Sequence, residues 1–195
     1  MRQHVKDYAE RLAGALGLSA MMEIPILADA LVQAWKTDST VYLCGNGGSA
    51  GNAIHLANDF LLGAGRCAGR GLRVEALSAN AAVLTALAND VGYDRVFADQ
   101  IKVKASPGDV LIVLSGSGNS PNVVAALETG NATGMKTFAI LGFSGGRCKA
   151  LAQHPIHFTI DDMQIAEDLQ LVVGHICMQW LTMKLPRAEA GSASS

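Results

Sequence analysis

Two short loops rich in glycine and serine contain the residues best suited to binding an anion. The first is Cys44-Gly45-Asn46-Gly47-Gly48-Ser49, between a predicted strand and a predicted helix, and the second is Ser115-Gly116-Ser117-Gly118-Asn119-Ser120, directly after the apolar run DVLIVL. Glycine lets the backbone approach a ligand, while serine hydroxyls and the N–H groups at a helix start donate to anions. Either loop alone is equally consistent with an ordinary turn, but together they favour a small phosphorylated ligand.

Two pairs of ionisable side chains have the spacing to share a helix face. His55 and Asp59 are four residues apart on the helix after the first loop, and Glu167 and His175 are eight apart on the last predicted helix. A histidine and a carboxylate from each helix could bind a divalent metal or form an acid–base pair. An aldose–ketose isomerase needs such a pair, because one group moves the proton beside the carbonyl and another moves the proton on oxygen. Each histidine, taken singly, could instead be a hydrogen-bonded core residue.

An alternation of strands and helices positions these loops. Strands are predicted at 40–44, 72–77, 109–114, 136–141 and 157–160, and helices at 49–62, 79–89, 93–104, 120–133 and 163–184. The pattern predicts an α/β fold with a doubly wound, mostly parallel five-stranded sheet flanked by helices. Ligands of such folds bind beyond the carboxyl ends of the strands, where both loops fall. Two further helices, at 3–17 and 21–36, precede the first strand and are available to pack on a partner subunit.

Length and composition narrow the class of protein. The chain has 195 residues, of which 50% are hydrophobic and 16% charged, with a net charge of −2. We therefore expect one folded domain over residues 1–186 and a polar, disordered tail at 187–195. The absence of a basic excess argues against a nucleic-acid partner. Neither loop has the GxGxxG pattern and no GxxxxGK[ST] motif is found, so no nucleotide cofactor is expected.

Cysteine usage and hydropathy indicate the compartment. Cys44, Cys67, Cys148 and Cys177 form no CxxC pair and no disulfide framework, which indicates a reducing environment. The first residues, MRQHVKDYAERL, are charged throughout and contain no apolar signal core. No apolar run approaches the roughly 18 residues of a membrane span. These features predict a soluble cytoplasmic protein with no membrane partner.

The chain resembles the phosphoheptose isomerase branch of the SIS-domain (sugar isomerase) proteins. The resemblance is carried by CGNGGSA-x-N-A-x-H, LTALANDVGYD, GDVLIVLSGSGNS, LGFSGG and an acidic C-terminal helix with a histidine, in family order over roughly residues 3–184. It implies the SIS fold and the isomerisation of sedoheptulose 7-phosphate to D-glycero-D-manno-heptose 7-phosphate through an enediol. It also implies a homotetramer with active sites between subunits, in which residues 1–36 serve oligomerisation.

The resemblance implies a role for individual residues. Asp59 falls at the position of the catalytic base and His175 at that of the catalytic acid. Zinc-binding members use positions that match His55, Asp59, Glu167 and His175, so a divalent metal, zinc first, is implied as the cofactor. The positions that match substrate and phosphate contacts are Asn46, Gly47, Ser49, Asn89, Asp90, Ser115, Ser117, Asn119 and Ser120.

Departures from the family pattern leave two points open. Asp59 stands where the family has glutamate, and Glu167 stands where it has glutamine, so Glu167 is a rival for the role of base. Two neighbouring carboxylates would favour a metal cation between them. Gly63 occupies the position of an expected arginine, for which substitutes could come from Arg66, Arg70 or Arg73.

Two alternatives to an enzyme share the same fold. One is a non-catalytic tetrameric SIS-domain binding protein of the type that associates with a replication initiator, and the other is a sugar-phosphate sensor. Binding proteins of this kind lack the acid–base residues. The presence of His55, an acid at Asp59 and His175 therefore favours the isomerase.

Overall fold

A parallel sheet of five strands forms the centre of the structure, a computed structural model that describes residues 1–187. The strand order is β2-β1-β3-β4-β5 and every neighbouring pair is parallel. The strands are β1 (Val41–Cys44), β2 (Val74–Ala76), β3 (Val110–Ser115), β4 (Lys136–Leu141) and β5 (His154–His157). All residues of the central β3 are buried, as expected of a strand covered on both faces. The predicted doubly wound α/β fold is confirmed.

Helices cover the two faces of the sheet as separate layers, each over its own apolar core. Buried residues of α2, α3 and α8 pack on one face, and those of α5, α6 and α7 pack on the other. The helices are α1 (Arg2–Leu16), α2 (Ile24–Thr37), α3 (Gly48–Ala68), α4 (Ala81–Asp90), α5 (Ala98–Lys104), α6 (Pro121–Thr133), α7 (Gly146–Leu151) and α8 (Met163–Lys184), with 3-10 turns at Ser19–Glu23 and Tyr93–Arg95.

After the adjacent strands β1 and β3, the chain turns toward opposite faces of the sheet. After β1 it enters α3 on one face of the sheet, and after β3 it enters α6 on the other face. The loops therefore diverge at the carboxyl edge and leave a crevice between them. This topological switch point is where doubly wound folds bind their ligands.

Helices α3 and α8 run side by side in the same direction. Three successive contacts follow the two helices from start to end. They pair, in order, Gly48 with Glu167, Leu56 with Gly174, and Gly63 with Met178. A Cβ atom built on Gly174 would lie 2.2 Å from Cδ2 of Leu56, which is 1% exposed. Glycine at this position therefore allows the close approach of the two helices.

Several boundaries differ from the sequence-based expectation. The fifth strand was predicted at 157–160 but spans His154–His157, because Pro155 is tolerated in an edge strand that pairs with β4 alone. The helix predicted at 93–104 is split into the 3-10 turn Tyr93–Arg95 and α5. Helix α3 continues six residues past the predicted end at 62, to Ala68, and α7 lies where no helix was predicted.

Helix α1 is mostly exposed and is attached to α8 by polar contacts. The Tyr8 hydroxyl donates to the Asp168 carboxylate, which raises the pKa of Tyr8 to about 12, and Arg11 pairs with Asp162. No single helix within residues 1–187 is both long and apolar enough to cross a membrane; α1 and the Ser19–Thr37 stretch, bent by 45°, pass that test only as a pair. The predicted tail at 187–195 lies, except for Arg187, outside the described residues.

We predict that Gly174→Ala destabilises the protein by about 1–3 kcal/mol, because the new methyl group overpacks the contact with Leu56. Gly51→Ala on the exposed side of α3 is the matched control, since a Cβ there meets no atom within 4 Å. The control should stabilise by about 0.5–1 kcal/mol, because alanine is the better helix former. Urea unfolding followed by circular dichroism measures both. Equal stability of the two variants would contradict the proposed close packing.

Candidate functional site

A cavity of about 260 Å³ lies in the crevice between β1 and β3, at the starts of α3, α6 and α8. Its walls combine main-chain and hydroxyl groups of both glycine–serine loops with side chains from the start of α8. Six of the predicted substrate and phosphate residues line it: Asn46, Gly47, Ser49, Ser115, Ser117 and Ser120. Gly47 has a φ of +55°, a left-handed conformation that favours glycine.

The serine hydroxyls of the second loop are arranged as donors. Ser115 Oγ accepts from the Gly118 N–H at 3.1 Å, and Ser117 Oγ accepts from the Asn119 N–H at 3.3 Å. A hydroxyl that accepts one bond keeps its proton free to donate. Ser120 precedes α6 without capping it through its side chain. The loop therefore presents several O–H donors to one small volume.

An amide pair joins the first loop to the start of α6 across the crevice. Asn46 Nδ2 donates to Asn122 Oδ1 at 2.9 Å, and Asn122 Nδ2 donates back to Asn46 Oδ1 at 2.8 Å. The Tyr93 hydroxyl also donates to Asn46 Oδ1, at 3.1 Å. Neither Asn122 nor Tyr93 was singled out from the sequence. The signal available in the sequence was Asn122 itself, a polar residue directly before the apolar run VVAAL of α6; in the structure it is 2% exposed.

A second amide connection, also not identified from the sequence, joins α8 to the first loop. Gln170 Nε2 donates to Ser49 Oγ at 3.0 Å, and Gln170 Oε1 accepts from Asn52 Nδ2 at 3.0 Å. Gln170 is 1% exposed. The first loop is thus held by buried amide side chains from both α6 and α8.

The cavity has no cationic wall. Among the described residues that line it, none is lysine or arginine, and the one charged residue is Glu167. The arginines proposed as substitutes for Gly63 do not reach it: Arg70 and Arg73 pair with Asp38 at 3.1 and 3.2 Å, just before β1 at the opposite edge of the sheet. Anion binding would therefore depend on hydroxyls and on the N–H groups at the start of α3, because α6 begins with Pro121, which has no N–H.

A cluster of His55, Asp59 and His175, here called the triad, lies two turns along the α3–α8 pair. The two Nε2 atoms are 3.0 Å apart, and Asp59 Oδ2 lies 3.3 Å from His55 Nε2 and 3.6 Å from His175 Nε2. The histidine side chains are 48% and 47% exposed, and that of Asp59 is 27% exposed. The triad is therefore open to solvent on the outer surface of the helix layer.

The triad fits a divalent cation. Its three donor atoms lie within 4.8 Å of one another. Ligands of a tetrahedral zinc ion, at 2.0–2.1 Å from the metal, are separated by about 3.3 Å, close to the three separations found here. Two imidazoles and a carboxylate are also a ligand set of catalytic zinc sites, which leave the fourth position open.

Glu167 does not join this cluster, although it was predicted to be one of the metal ligands. Its carboxylate lies over Gly48, where a built Cβ would be 2.3 Å from Oε2, and it lines the cavity. Glu167 and His175 share a face of α8, but eight residues correspond to about 12 Å along the axis. The structure thus brings together three of the four predicted ligands. The helical spacing indicated that Glu167 and His175 share a face, but it did not account for the distance between them along the helix axis.

The other predicted contacts lie outside the cavity wall. Asn89 and Asp90 are exposed at the end of α4, where Asn89 Nδ2 donates to Asp90 Oδ1 at 2.8 Å. Asn119 is exposed, and its Oδ1 accepts from the Arg147 N–H at 3.0 Å. Asn119 therefore joins the second loop to the start of α7 and does not line the cavity.

Comparisons with known proteins agree with this geometry. The family described as the SIS domain matches residues 6–142. The chain belongs to the SIS-domain family. It is 35% identical over 173 residues to the phosphoheptose isomerase of Trichlorobacter lovleyi, covering 88% of each chain, and 40% identical over 145 residues to that of Nitratiruptor sp., covering 74% of this chain and 77% of the relative.

A solved structure extends the SIS-family likeness to three dimensions. The phosphoheptose isomerase from Francisella tularensis superposes with a TM-score of 0.86 at 25% identity, covering 93% of this chain and 98% of that chain. The predicted kinship with the phosphoheptose isomerase branch is confirmed.

We predict that the protein binds a divalent cation through the triad, with Zn²⁺ as the probe. His55→Ala should weaken binding by more than about ten-fold because a direct ligand is lost, whereas Glu167→Ala should leave it unchanged. His154→Ala is the control, since that ring stacks on Phe138 at 4.9 Å and belongs to no metal cluster found in residues 1–187. Equilibrium dialysis with metal analysis measures the affinity. Loss of binding in Glu167→Ala would contradict a three-residue site.

Proposed function

We propose that this SIS-family protein is an isomerase that converts sedoheptulose 7-phosphate to D-glycero-D-manno-heptose 7-phosphate. One observation carries the proposal: a serine-lined cavity and a His–Asp–His triad lie on the same pair of parallel helices. The relatives named phosphoheptose isomerase support the same reaction. In a heptulose 7-phosphate, the phosphate and the reacting carbons C1 and C2 are at opposite ends of the sugar. The molecule therefore needs two separated sites of these kinds.

The separation of the two sites supports one orientation of the substrate. With the phosphate in the cavity, an extended sugar that follows α3 and α8 directs C1 and C2 toward the triad, about 12 Å along the helix axes. Glu167 at the cavity then lies near the phosphate end, where its carboxylate accepts bonds from sugar hydroxyls. This placement favours Asp59 as the base over Glu167.

The proposed chemistry is a proton transfer through an enediol. Asp59 removes a proton from C1, O2 gains a proton as its carbonyl becomes an enol, and the hydroxyl proton on O1 is then released. Return of the first proton to C2 gives the aldehyde at C1 and completes the isomerisation. In the metal-free triad, His175, whose Nε2 is 3.6 Å from Asp59 Oδ2, is the group that exchanges protons with the oxygens; with a metal held by that nitrogen, Lewis acidity would take over this role.

A zinc ion is the proposed metal. His55, Asp59 and His175 would hold it, because their donor atoms have the separations that tetrahedral zinc requires. Bound zinc supplies Lewis acidity that polarises carbonyl and hydroxyl oxygens.

The proposed assembly is a homotetramer with active sites completed between subunits. The triad is half exposed, and a proton transfer of this kind benefits from exclusion of water. Apolar side chains on α3 and α8 remain exposed: Ile54, Leu61, Leu62, Ile176 and Met183. A groove of about 350 Å³ lies between α2 and α8, lined by Met21, Ile24 and Trp180 among others. Such a surface supports packing of a partner, to which the helices in 1–36 would contribute.

The proposed compartment is the cytoplasm. Cys44, Cys148 and Cys177 are free thiols in the apolar cores, and burial raises the pKa of Cys177 to about 12. Free buried thiols are typical of proteins in reducing compartments.

The reaction is tested with purified, metal-analysed protein and sedoheptulose 7-phosphate in deuterated water. Proton NMR should show new anomeric signals and entry of deuterium at C1 or C2. Asp59→Asn and His175→Ala should each lower kcat by about 10²–10⁴-fold, because each removes a proton-transfer group. Glu167→Gln should have a smaller effect, mainly on KM.

Asp99→Asn is the matched control, since Asp99 of α5 pairs with Arg95 of the preceding 3-10 turn at 2.7 Å and lines neither site. Full activity of Asp59→Asn together with loss in Glu167→Gln would exchange the two carboxylate roles. Phosphate binding without product or deuterium exchange would contradict the isomerase and favour a sensor or a non-catalytic binding protein.

The assembly is tested by light scattering coupled to gel filtration. We expect a particle of four times the 20.3 kDa chain. Leu62→Glu, which places a charge on the exposed apolar face of α3, should give smaller particles with reduced kcat. Lys102→Glu on α5 is the control for the added charge and should leave the mass unchanged. A monomeric, fully active wild type would contradict inter-subunit sites.

A further inference from the structure

Gln170 is a polar side chain in the buried contact between α3 and α8. It is 1% exposed, and Leu169 and Val173 beside it are completely buried in the apolar core. A buried amide costs free energy unless its donors and its acceptor are hydrogen-bonded. The bonds that Gln170 makes therefore explain its place in this contact.

A main-chain group fixes the orientation of the amides. Asn52 Nδ2 donates to the carbonyl oxygen of Glu167 at 2.9 Å and to Gln170 Oε1 at 3.0 Å. Because a carbonyl oxygen only accepts, Asn52 must present its NH₂ group to α8. Gln170 must then present its oxygen to Asn52 and its NH₂ group to Ser49 Oγ, at 3.0 Å.

This orientation commits the Ser49 hydroxyl. A serine hydroxyl has one proton and two lone pairs, and Gln170 occupies a lone pair. The proton is left to donate, and the residues described in the structure supply no acceptor for it. Ser49 lines the cavity in the first turn of α3, so an acceptor-only anion there would complete the arrangement.

We infer that Gln170, held by Asn52, is a positioning residue that keeps the Ser49 hydroxyl turned into the cavity as a donor to the substrate phosphate. The inference rests on the proposed function, since it takes the cavity to be the phosphate site. Ser115 and Ser117 differ in this respect, because they accept from main-chain N–H groups of their own loop. Of these three serines, Ser49 is therefore the one whose hydroxyl orientation depends on a side chain of another helix, and a substitution of that side chain can change it.

The test replaces Gln170 with methionine, which has a similar length but no N–H donor. Titration calorimetry with inorganic phosphate should show a Kd raised by about ten-fold, the effect of losing one well-oriented bond to a charged acceptor. KM for sedoheptulose 7-phosphate should rise by a similar factor. The change in kcat should be less than about two-fold, because the loss of uniform binding affects KM alone.

Two comparisons separate positioning from a general structural effect. Gln100→Met is the matched control: Gln100 is 4% exposed and donates to the carbonyls of Leu77 and Val96, so its loss should leave the phosphate Kd unchanged. Ser49→Ala should weaken phosphate binding, and the double variant with Gln170→Met should bind no more weakly than Ser49→Ala alone, because the two residues act as one unit.

Additive losses in the double variant, or an equal loss in Gln100→Met, would overturn the inference.

Asn52→Ala is the second variant, for the case that Gln170→Met does not fold. It releases the Gln170 amide from a half-buried position and should raise the phosphate Kd by about three-fold; an unchanged Kd would also overturn the inference. A wild type that neither binds phosphate nor turns over the sugar would instead refute the proposed function.

Discussion

The close parallel packing of α3 and α8 is the contact on which the arrangement of the site depends. Gly174 against the buried Leu56 leaves no room for a larger residue, and Gly63 lies against the end of the Met178 side chain, so the two backbones approach closely over several turns. This approach brings His55 and Asp59 of one helix within 3.6 Å of His175 of the other. It also places Gln170 and Glu167 against the first loop, so both the cavity and the triad depend on one helix–helix contact.

The anion binding proposed for the cavity requires no positive side chain. Hydroxyls that already accept protein N–H bonds keep their own proton to donate, and the first turn of α3 begins at the crevice. Neutral donors of this kind are fixed in direction, whereas a lysine would attract anions from many directions. The carboxylate of Glu167 lies in the same wall and would repel a simple anion. It would favour a ligand whose hydroxyl groups can donate to it.

Local sequence predicted the elements better than it predicted the contacts between them. Both glycine–serine loops were located because each directly follows an apolar strand, and parallel strands necessarily place such loops at one edge. Asn122 and Gln170 were missed because their partners lie 76 and 121 residues away in the chain. Glu167 was grouped with His175 because helical periodicity reports a shared face and carries no information on axial distance. The fifth strand was displaced because Pro155 is unfavourable in a strand unless that strand lies at an edge.

The divergence of the chain at β1 and β3 has a consequence for the energetics of the whole molecule. The two helix layers have separate apolar cores and meet chiefly through the sheet between them. A ligand in the crevice would bond to groups from both layers at once, so it would act as a non-covalent cross-link between them, in addition to the sheet and the Asn46–Asn122 amide pair. Because such a ligand binds only the folded protein, its binding free energy would add to the free energy of unfolding of both layers. Filling one small cavity would then stabilise the whole domain.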